Sequence, residues 1–242
     1  KDYESAIADF DKALQLDPKN LLAYSKRADA RVIMGNIEAA IQDLTTLIQL
    51  DPGNREAFFQ IGNLQYSIGD YTNAMENFTK AIDIDRANKT AYFYRGSSKA
   101  NLNLHQDAIY DFDSAIQLDK KYLTAYYKRA GSKTNIGDYS GAINDYSFII
   151  KNERHFGNTH YKRAEVYAVT GNYELALKDY NTAIDMQPKD AKAYAGRGRC
   201  KASLTDFEGA VKDFTKVIEL DSLNLPAFSY RGNLFAAMKQ YD

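Results

Sequence analysis

Tryptophan is absent, and the 242 residues hold a single cysteine, Cys200. One thiol cannot build an internal disulfide framework. Proline and glycine are scarce, at 4 and 14 residues, a poor supply of turn formers for a β-rich chain. No apolar run approaches the ~20 residues that a membrane helix needs, so no membrane insertion is expected. Neither sign of charge dominates, with 31 Lys+Arg against 32 Asp+Glu. That balance lacks the strongly basic signature of nucleic-acid domains, and no nucleic-acid partner is expected. The chain is instead rich in apolar side chains, 45% hydrophobic and 13% aromatic. Such a composition can bury a core and argues against disorder.

The dominant feature is internal repetition. Asp2-Tyr3, Ala6, Phe10, Ala13 and Asp17-Pro18 return 68 residues on as Asp70-Tyr71, Ala74, Phe78, Ala81 and Asp85. The same pattern restarts at Gly137-Asp138-Tyr139 and at Gly171-Asn172-Tyr173. The period is 34 residues without insertion. It defines six full units, 21–54, 55–88, 89–122, 123–156, 157–190 and 191–224, with half units at 1–20 and 225–242. Each unit carries two apolar stripes at helical spacing, for example Tyr24 with Ala28 and Ala40 with Leu44 and Leu47. Gly35, Gly69, Gly137 and Gly171 fall between the stripes, where a tight turn needs them. Pro18, Pro52 and Pro188 follow the second stripe and stop its helix. Position eight is always small (Ala28, Gly62, Gly96, Ala130, Ala164, Gly198) and position twenty is always alanine, so helices can approach closely. Position four carries a ring in nearly every unit, as in Tyr24, Phe58 and Tyr92. The expectation is an all-α solenoid of stacked helical hairpins, a single array over 1–242.

The pattern resembles the tetratricopeptide repeat family through Phe58, Ile61-Gly62, Gly69-Asp70-Tyr71, Ala74, Phe78 and Ala81 of one unit and their counterparts in the others. The family's usual Trp is here Tyr, Phe or His, and the usual Leu at position seven is mostly Arg. The resemblance implies a right-handed superhelix whose concave groove, lined by the first helix of each repeat, binds peptides or partner proteins.

Those position-seven arginines recur with an aspartate at position twenty-three. The unit that has Ile61 in place of the arginine also has Asn77 in place of the aspartate. Coincident loss within one unit points to intra-unit ion pairs: Arg27–Asp43, Arg95–Asp111, Arg129–Asp145, Arg163–Asp179 and Arg197–Asp213. Buried charges are normally paired, and these pairs read as structural, which weakens any catalytic role for them.

Little else suggests chemistry. His105 and His160 occupy ring positions, and His155 has neither cysteine nor carboxylate at ligand spacing, so no metal site is expected. Cys200 has no neighbouring histidine and reads as a buried inert thiol. No Gly-rich phosphate loop and no nucleophile–base pair occur, so neither a cofactor nor an enzyme activity is expected.

The groove remains. The positions that the resemblance assigns to it carry Phe59, Asn63 and Tyr66, then Phe93, Tyr94 and Asn101. They continue with Tyr127, Lys128 and Asn135, then Tyr161, Lys162 and Glu165, then Lys192 and Arg199, and finally Tyr230. The rings form a stripe suited to partner contact, about half of which we expect to pack between neighbouring first helices. Lys128, Lys162, Lys192 and Arg199 outweigh Glu165, so the later groove is basic and suited to an acidic segment. The family's terminal-carboxylate clamp is not matched, because Phe59 stands where the clamp needs lysine. The unit 123–156 ends irregularly, with Asn152 replacing an apolar residue, and predicts a loosened junction near 150–160. The half units would expose Tyr3, Ile7 and Phe10 at one end and Phe228 and Phe235 at the other. They read as cut ends of a longer polypeptide, or as faces through which copies associate head to tail.

These features point to a non-catalytic scaffold or adaptor that binds a protein or peptide, acidic where it meets the basic groove. Two other readings stay open: a subunit of a larger assembly that uses its convex faces or edges, and the regulatory arm of an enzyme whose catalytic domain lies elsewhere. One cysteine fits the cytoplasm and a bacterial periplasm equally.

Overall fold

The structure, a computed structural model, describes residues 2–241. Among the described residues there are fourteen α-helices and no strand. They fall into two compact units, one ending at Lys128 and the other beginning at Arg129. The division lies inside the helix Leu123–Asn135, which is α8 in chain order.

The first unit contains α1 (Tyr3–Leu16), α2 (Leu21–Ile33), α3 (Ile37–Leu50), α4 (Arg55–Ser67), α5 (Tyr71–Ile84), α6 (Lys89–Asn101) and α7 (His105–Leu118). The second contains α9 (Tyr139–Asn152), α10 (Thr159–Val169), α11 (Tyr173–Met186), α12 (Ala191–Ser203), α13 (Phe207–Leu220) and α14 (Leu225–Tyr241). Within each unit consecutive helices pack on one another, as stacked hairpins require. Each unit is the all-α stack of helical hairpins expected from the periodicity. No helix of the described residues is long and apolar enough to cross a membrane.

The turn inside each hairpin needs a left-handed residue. Gly35, Gly69, Gly137 and Gly171 supply it with φ between +75° and +83°, at no steric cost. Two repeats lack that glycine, and Asn103 (φ 61°) and Thr205 (φ 64°) adopt the same conformation. Asparagine tolerates it, but a β-branched threonine is strained there.

Packing inside each hairpin is set by position eight against position twenty-four. A Cβ on Gly62 would lie 2.8 Å from the Phe78 ring, and one on Gly96 would lie 3.0 Å from the Phe112 ring. Both rings are fully buried. Where the small residue is alanine, the partner is Leu44, Tyr146 or Tyr180 rather than phenylalanine.

The junction before α10 departs from the rest. Most first helices are capped by an Asn or Asp side chain one residue before the helix, such as Asn20, Asn54, Asn88 and Asp190. Phe156 holds that place here and offers no cap. The chain turns through Gly157 (φ 51°), and α10 starts only at Thr159, with 11 residues against the usual 13.

Candidate functional site

The ion-pair positions form a series of rungs inside the hairpins. In the first unit Arg27 Nε donates to Asp43 at 3.0 Å and Arg95 Nε to Asp111 at 3.0 Å. In the second, Arg129 Nε reaches Asp145 at 2.9 Å, Arg163 Nε reaches Asp179 at 2.7 Å and Arg197 Nε reaches Asp213 at 3.0 Å. Each arginine also donates from a terminal nitrogen to the same carboxylate, giving a two-pronged contact with its attendant geometric specificity. The aspartates are only 3–4% exposed. The Asp43 carboxylate, and after it Asp11, push the Arg27 guanidinium above its usual range against the opposing effect of burial.

A second cation, four residues beyond the arginine, completes most rungs. Arg31 lies 2.7 Å from Asp43, Lys99 2.8 Å from Asp111, Lys133 3.0 Å from Asp145 and Lys201 2.9 Å from Asp213. Sequence reasoning overlooked this position, although its basic character recurs with the arginine. Tyr167 occupies it in the unit 157–190, where His160 Nδ1 instead lies 2.9 Å from Asp179. The rung of the unit 55–88 is neutral: Asn77 Nδ2 donates to Gln65 Oε1 at 2.8 Å, beside Ile61. A second side chain beside each buried arginine–aspartate pair marks these residues as the frame of the hairpins.

The groove positions divide by unit. In the first, the rings are half-buried and pack on one another. Phe59 and Tyr94 centroids are 6.2 Å apart, Tyr66 and Tyr94 5.5 Å, and Phe93 and Tyr94 5.3 Å. Tyr94 also stacks on the buried Phe78 at 5.7 Å. Asn101 Nδ2 lies 3.4 Å from the Tyr66 hydroxyl. The five rings thus make one continuous aromatic wall, with stacked and edge-to-face geometry. Asn63 Oδ1 is buried and has no hydrogen-bond partner. Tyr127 is half-buried and Lys128 exposed at the end of the unit.

In the second unit Tyr161, Lys162 and Lys192 come together around a pocket of about 900 Å³ between α10 and the α11–α12 loop. Asn158, Glu165 and the loop residues Gln187, Pro188, Lys189 and Asp190 complete its lining. The Tyr161 hydroxyl donates to Glu165 at 2.9 Å, and Lys162 Nζ reaches the other oxygen of that carboxylate at 2.8 Å. Burial, and then the Glu165 carboxylate, push the Tyr161 phenol above the ordinary tyrosine range. Asp190 accepts from the Lys192 backbone N–H at 2.9 Å as the cap of α12. Both carboxylates are therefore engaged, and the Lys189 and Lys192 ammonium groups have no acidic partner among the described residues. Asn135, Arg199 and Tyr230 do not line this pocket. Asn135 donates to the Gly131 carbonyl at 2.9 Å, Arg199 is exposed, and Tyr230 stacks on Phe214 at 5.0 Å. Lys189 was missed because only the first helices were read as groove; the Pro188-Lys189-Asp190 run beyond α11 was the available signal. Among the described residues no cluster of side chains could hold a metal ion, and Cys200 is buried, its thiol pushed up by burial.

Comparison with known proteins bears on the fold. Two family models, each described as tetratricopeptide repeat, match residues 127–191 and 161–224 in one case and 1–20, 22–54 and 56–88 in the other. A sequence comparison with curated proteins finds no match. Among solved structures, the C-terminal part of a TPR repeat-containing protein from Cytophaga hutchinsonii aligns with a TM-score of 0.80 at 18% identity, covering 95% of this chain and 94% of that one. YrrB, described as a TPR protein with an unusual peptide-binding site, aligns with a TM-score of 0.69 at 17% identity, over 78% of this chain and 97% of its own. The pilF protein of Pseudomonas aeruginosa aligns with a TM-score of 0.69 at 15% identity, over 96% and 100%. Repeat period, hairpin packing and both family matches agree: the chain belongs to the tetratricopeptide repeat family, whose members serve as protein–protein interaction scaffolds.

Proposed function

We propose that this chain is a non-catalytic adaptor whose second unit holds an acidic segment of a partner protein in the pocket between α10 and the α11–α12 loop. The observation that carries the reading is Lys189 and Lys192, which have no acidic partner among the described residues, beside the Lys162–Glu165 pair around one open pocket of about 900 Å³. Ammonium groups converging on one concavity favour a carboxylate-rich ligand and repel a basic one. Tyr161 adds a half-buried ring against Tyr180, with centroids 5.9 Å apart, and Asn158 adds a side chain that can both donate and accept. The peptide site named for YrrB is consistent with use of this fold for peptide capture.

Fluorescence anisotropy with a labelled peptide of alternating Glu and small apolar residues tests the reading. The wild type should bind it, and Lys192→Glu combined with Lys189→Glu should weaken binding by about a hundredfold, since each 1.4 kcal/mol is tenfold. Raised salt should weaken it further, as exposed charges are screened. Equal affinity for the acidic peptide and a Lys-substituted twin would overturn the proposal.

A further inference from the structure

The first unit carries an unfilled trough at the stations where later repeats carry rings. Its walls are α2 and α4 and its floor is Leu44 and Leu47 of α3. Two cavities, of about 450 and 350 Å³, share Leu44 and Gln60 and so join end to end. The reason for the space is local. Position five is Phe59 in the next unit and Phe93 in the one after, and each lies against a buried position-twenty-four ring, Phe78 at 5.7 Å and Phe112 at 6.0 Å. In the unit 21–54 those two stations hold Ser25 and Leu44. The missing ring volume is the trough.

The trough lies among exposed apolar side chains. Leu22 is 68% exposed and Ile33 59%, with Val32 and Leu21 at 36% each. An apolar concavity bordered by exposed aliphatic groups marks a binding surface rather than a solvated face. The only charged side chains in its lining are acidic. Asp29 and Glu56 contribute carboxylates, and the neighbouring cation, Lys26, is drawn to Asp29 at 3.4 Å.

We infer that this trough docks a segment of another protein in which large aliphatic side chains are flanked by lysine or arginine. The aliphatic groups fill the two cavities over Leu44, and the flanking cations face Asp29 and Glu56. The inference does not depend on the acidic-segment pocket of the second unit, which takes ligands of the opposite charge.

A random 16-residue peptide library, selected on the wild-type chain and depleted on Ser25→Phe, tests it. The substitution places a ring in the trough at a station where Phe59 and Phe93 show that the repeat accepts one. Enriched peptides should carry Leu, Ile or Val beside Lys or Arg. By anisotropy each should lose about tenfold or more in affinity on Ser25→Phe, and a similar factor on Glu56→Lys combined with Asp29→Lys. Should Ser25→Phe fail to give the wild-type helical circular dichroism, Val32→Glu, at an exposed rim position, replaces it as the depleting variant. Enrichment of acidic peptides, no enrichment, or enriched peptides indifferent to these substitutions would overturn the inference. Lys189→Glu combined with Lys192→Glu should leave their affinity unchanged.

Discussion

One pair of equivalent stations of the repeat carries opposite charge in the two units. On α2, Lys26 pairs with Asp29 at 3.4 Å; on α10, Lys162 pairs with Glu165 at 2.8 Å, at identical positions of the 34-residue period. The following first helix then contributes Glu56 in one unit and Lys192 in the other, and the loop before it contributes Gly53 and Lys189. Position five is Ser25 in one case and Tyr161 in the other. The frame beneath is the same: a small position eight, a buried alanine at position twenty and an arginine–aspartate rung. In the proposed function, binding chemistry would therefore be set by a few side chains laid over a shared frame. A charge can reverse there without disturbing the core.

The largest effect should come from breaking the frame itself. Asp213→Asn leaves Arg197 and Lys201 facing a neutral group in a site where the aspartate is 3% exposed. Removal of one partner from a buried pair costs about 3–5 kcal/mol, readable as a fall in the urea midpoint. The neutral counterpart in the first unit, Asn77→Ala, loses one hydrogen bond to Gln65 and should cost about 1 kcal/mol. Equal costs for the two would remove the distinction between charged and neutral rungs. Exchanging the groove charges comes next: Glu56→Lys and Lys192→Glu should each shift the preference of its own unit between acidic and basic peptides by about tenfold, measured by anisotropy, with thermal stability nearly unchanged. Gly62→Ala sets overpacking against Phe78, about 1–3 kcal/mol, against a helix-propensity gain of about 1 kcal/mol. The buried ring cannot yield, so a net loss of about 1 kcal/mol is expected. Smallest is Thr205→Gly in the second unit. It relieves a left-handed β-branched residue and should raise stability by about 0.5 kcal/mol, whereas Gly69→Thr at the equivalent turn of the first unit should lower it.

Much of the frame could be reasoned from the chain alone, because it depends on side chains that are present and periodic. Position eight, position twenty and the turn glycines recur at fixed spacing, and each has one steric reason to be small. The arginine–aspartate pairing could be reasoned from a shared loss, Ile61 with Asn77. The second cation at Arg31, Lys99, Lys133 and Lys201 recurs as regularly, but Gln65 and Tyr167 interrupt it for two different reasons, and the pattern stays hidden until Asn77 and His160 are seen beside them. The late start of α10 has no such reading, since Tyr122 also replaces the capping Asn or Asp and α8 still begins at Leu123. The trough over Leu44 is an absence, since Ser25 matters only through the ring it is not. In the first unit the aromatic stripe proved to be a wall of mutual ring contacts, because Phe78 and Phe112 stand directly behind Phe59, Tyr94 and Phe93. Sequence position alone does not tell which side of a ring is covered.

The ladder arginines also reach backwards. A terminal nitrogen of Arg95 lies 3.3 Å from the Thr79 hydroxyl, that of Arg163 lies 2.8 Å from Ser147, and that of Arg197 lies 2.7 Å from Asn181, each sixteen residues earlier in the preceding hairpin. Each guanidinium is thus a rivet through two neighbouring hairpins, and it passes the cost of opening one of them to the next. Ile61 cannot serve in this way, so Thr45, the station it would reach, gains no guanidinium from the following hairpin. An unravelling front should pause at that missing rivet, between the hairpins 21–54 and 55–88, so that amide exchange steps in protection there.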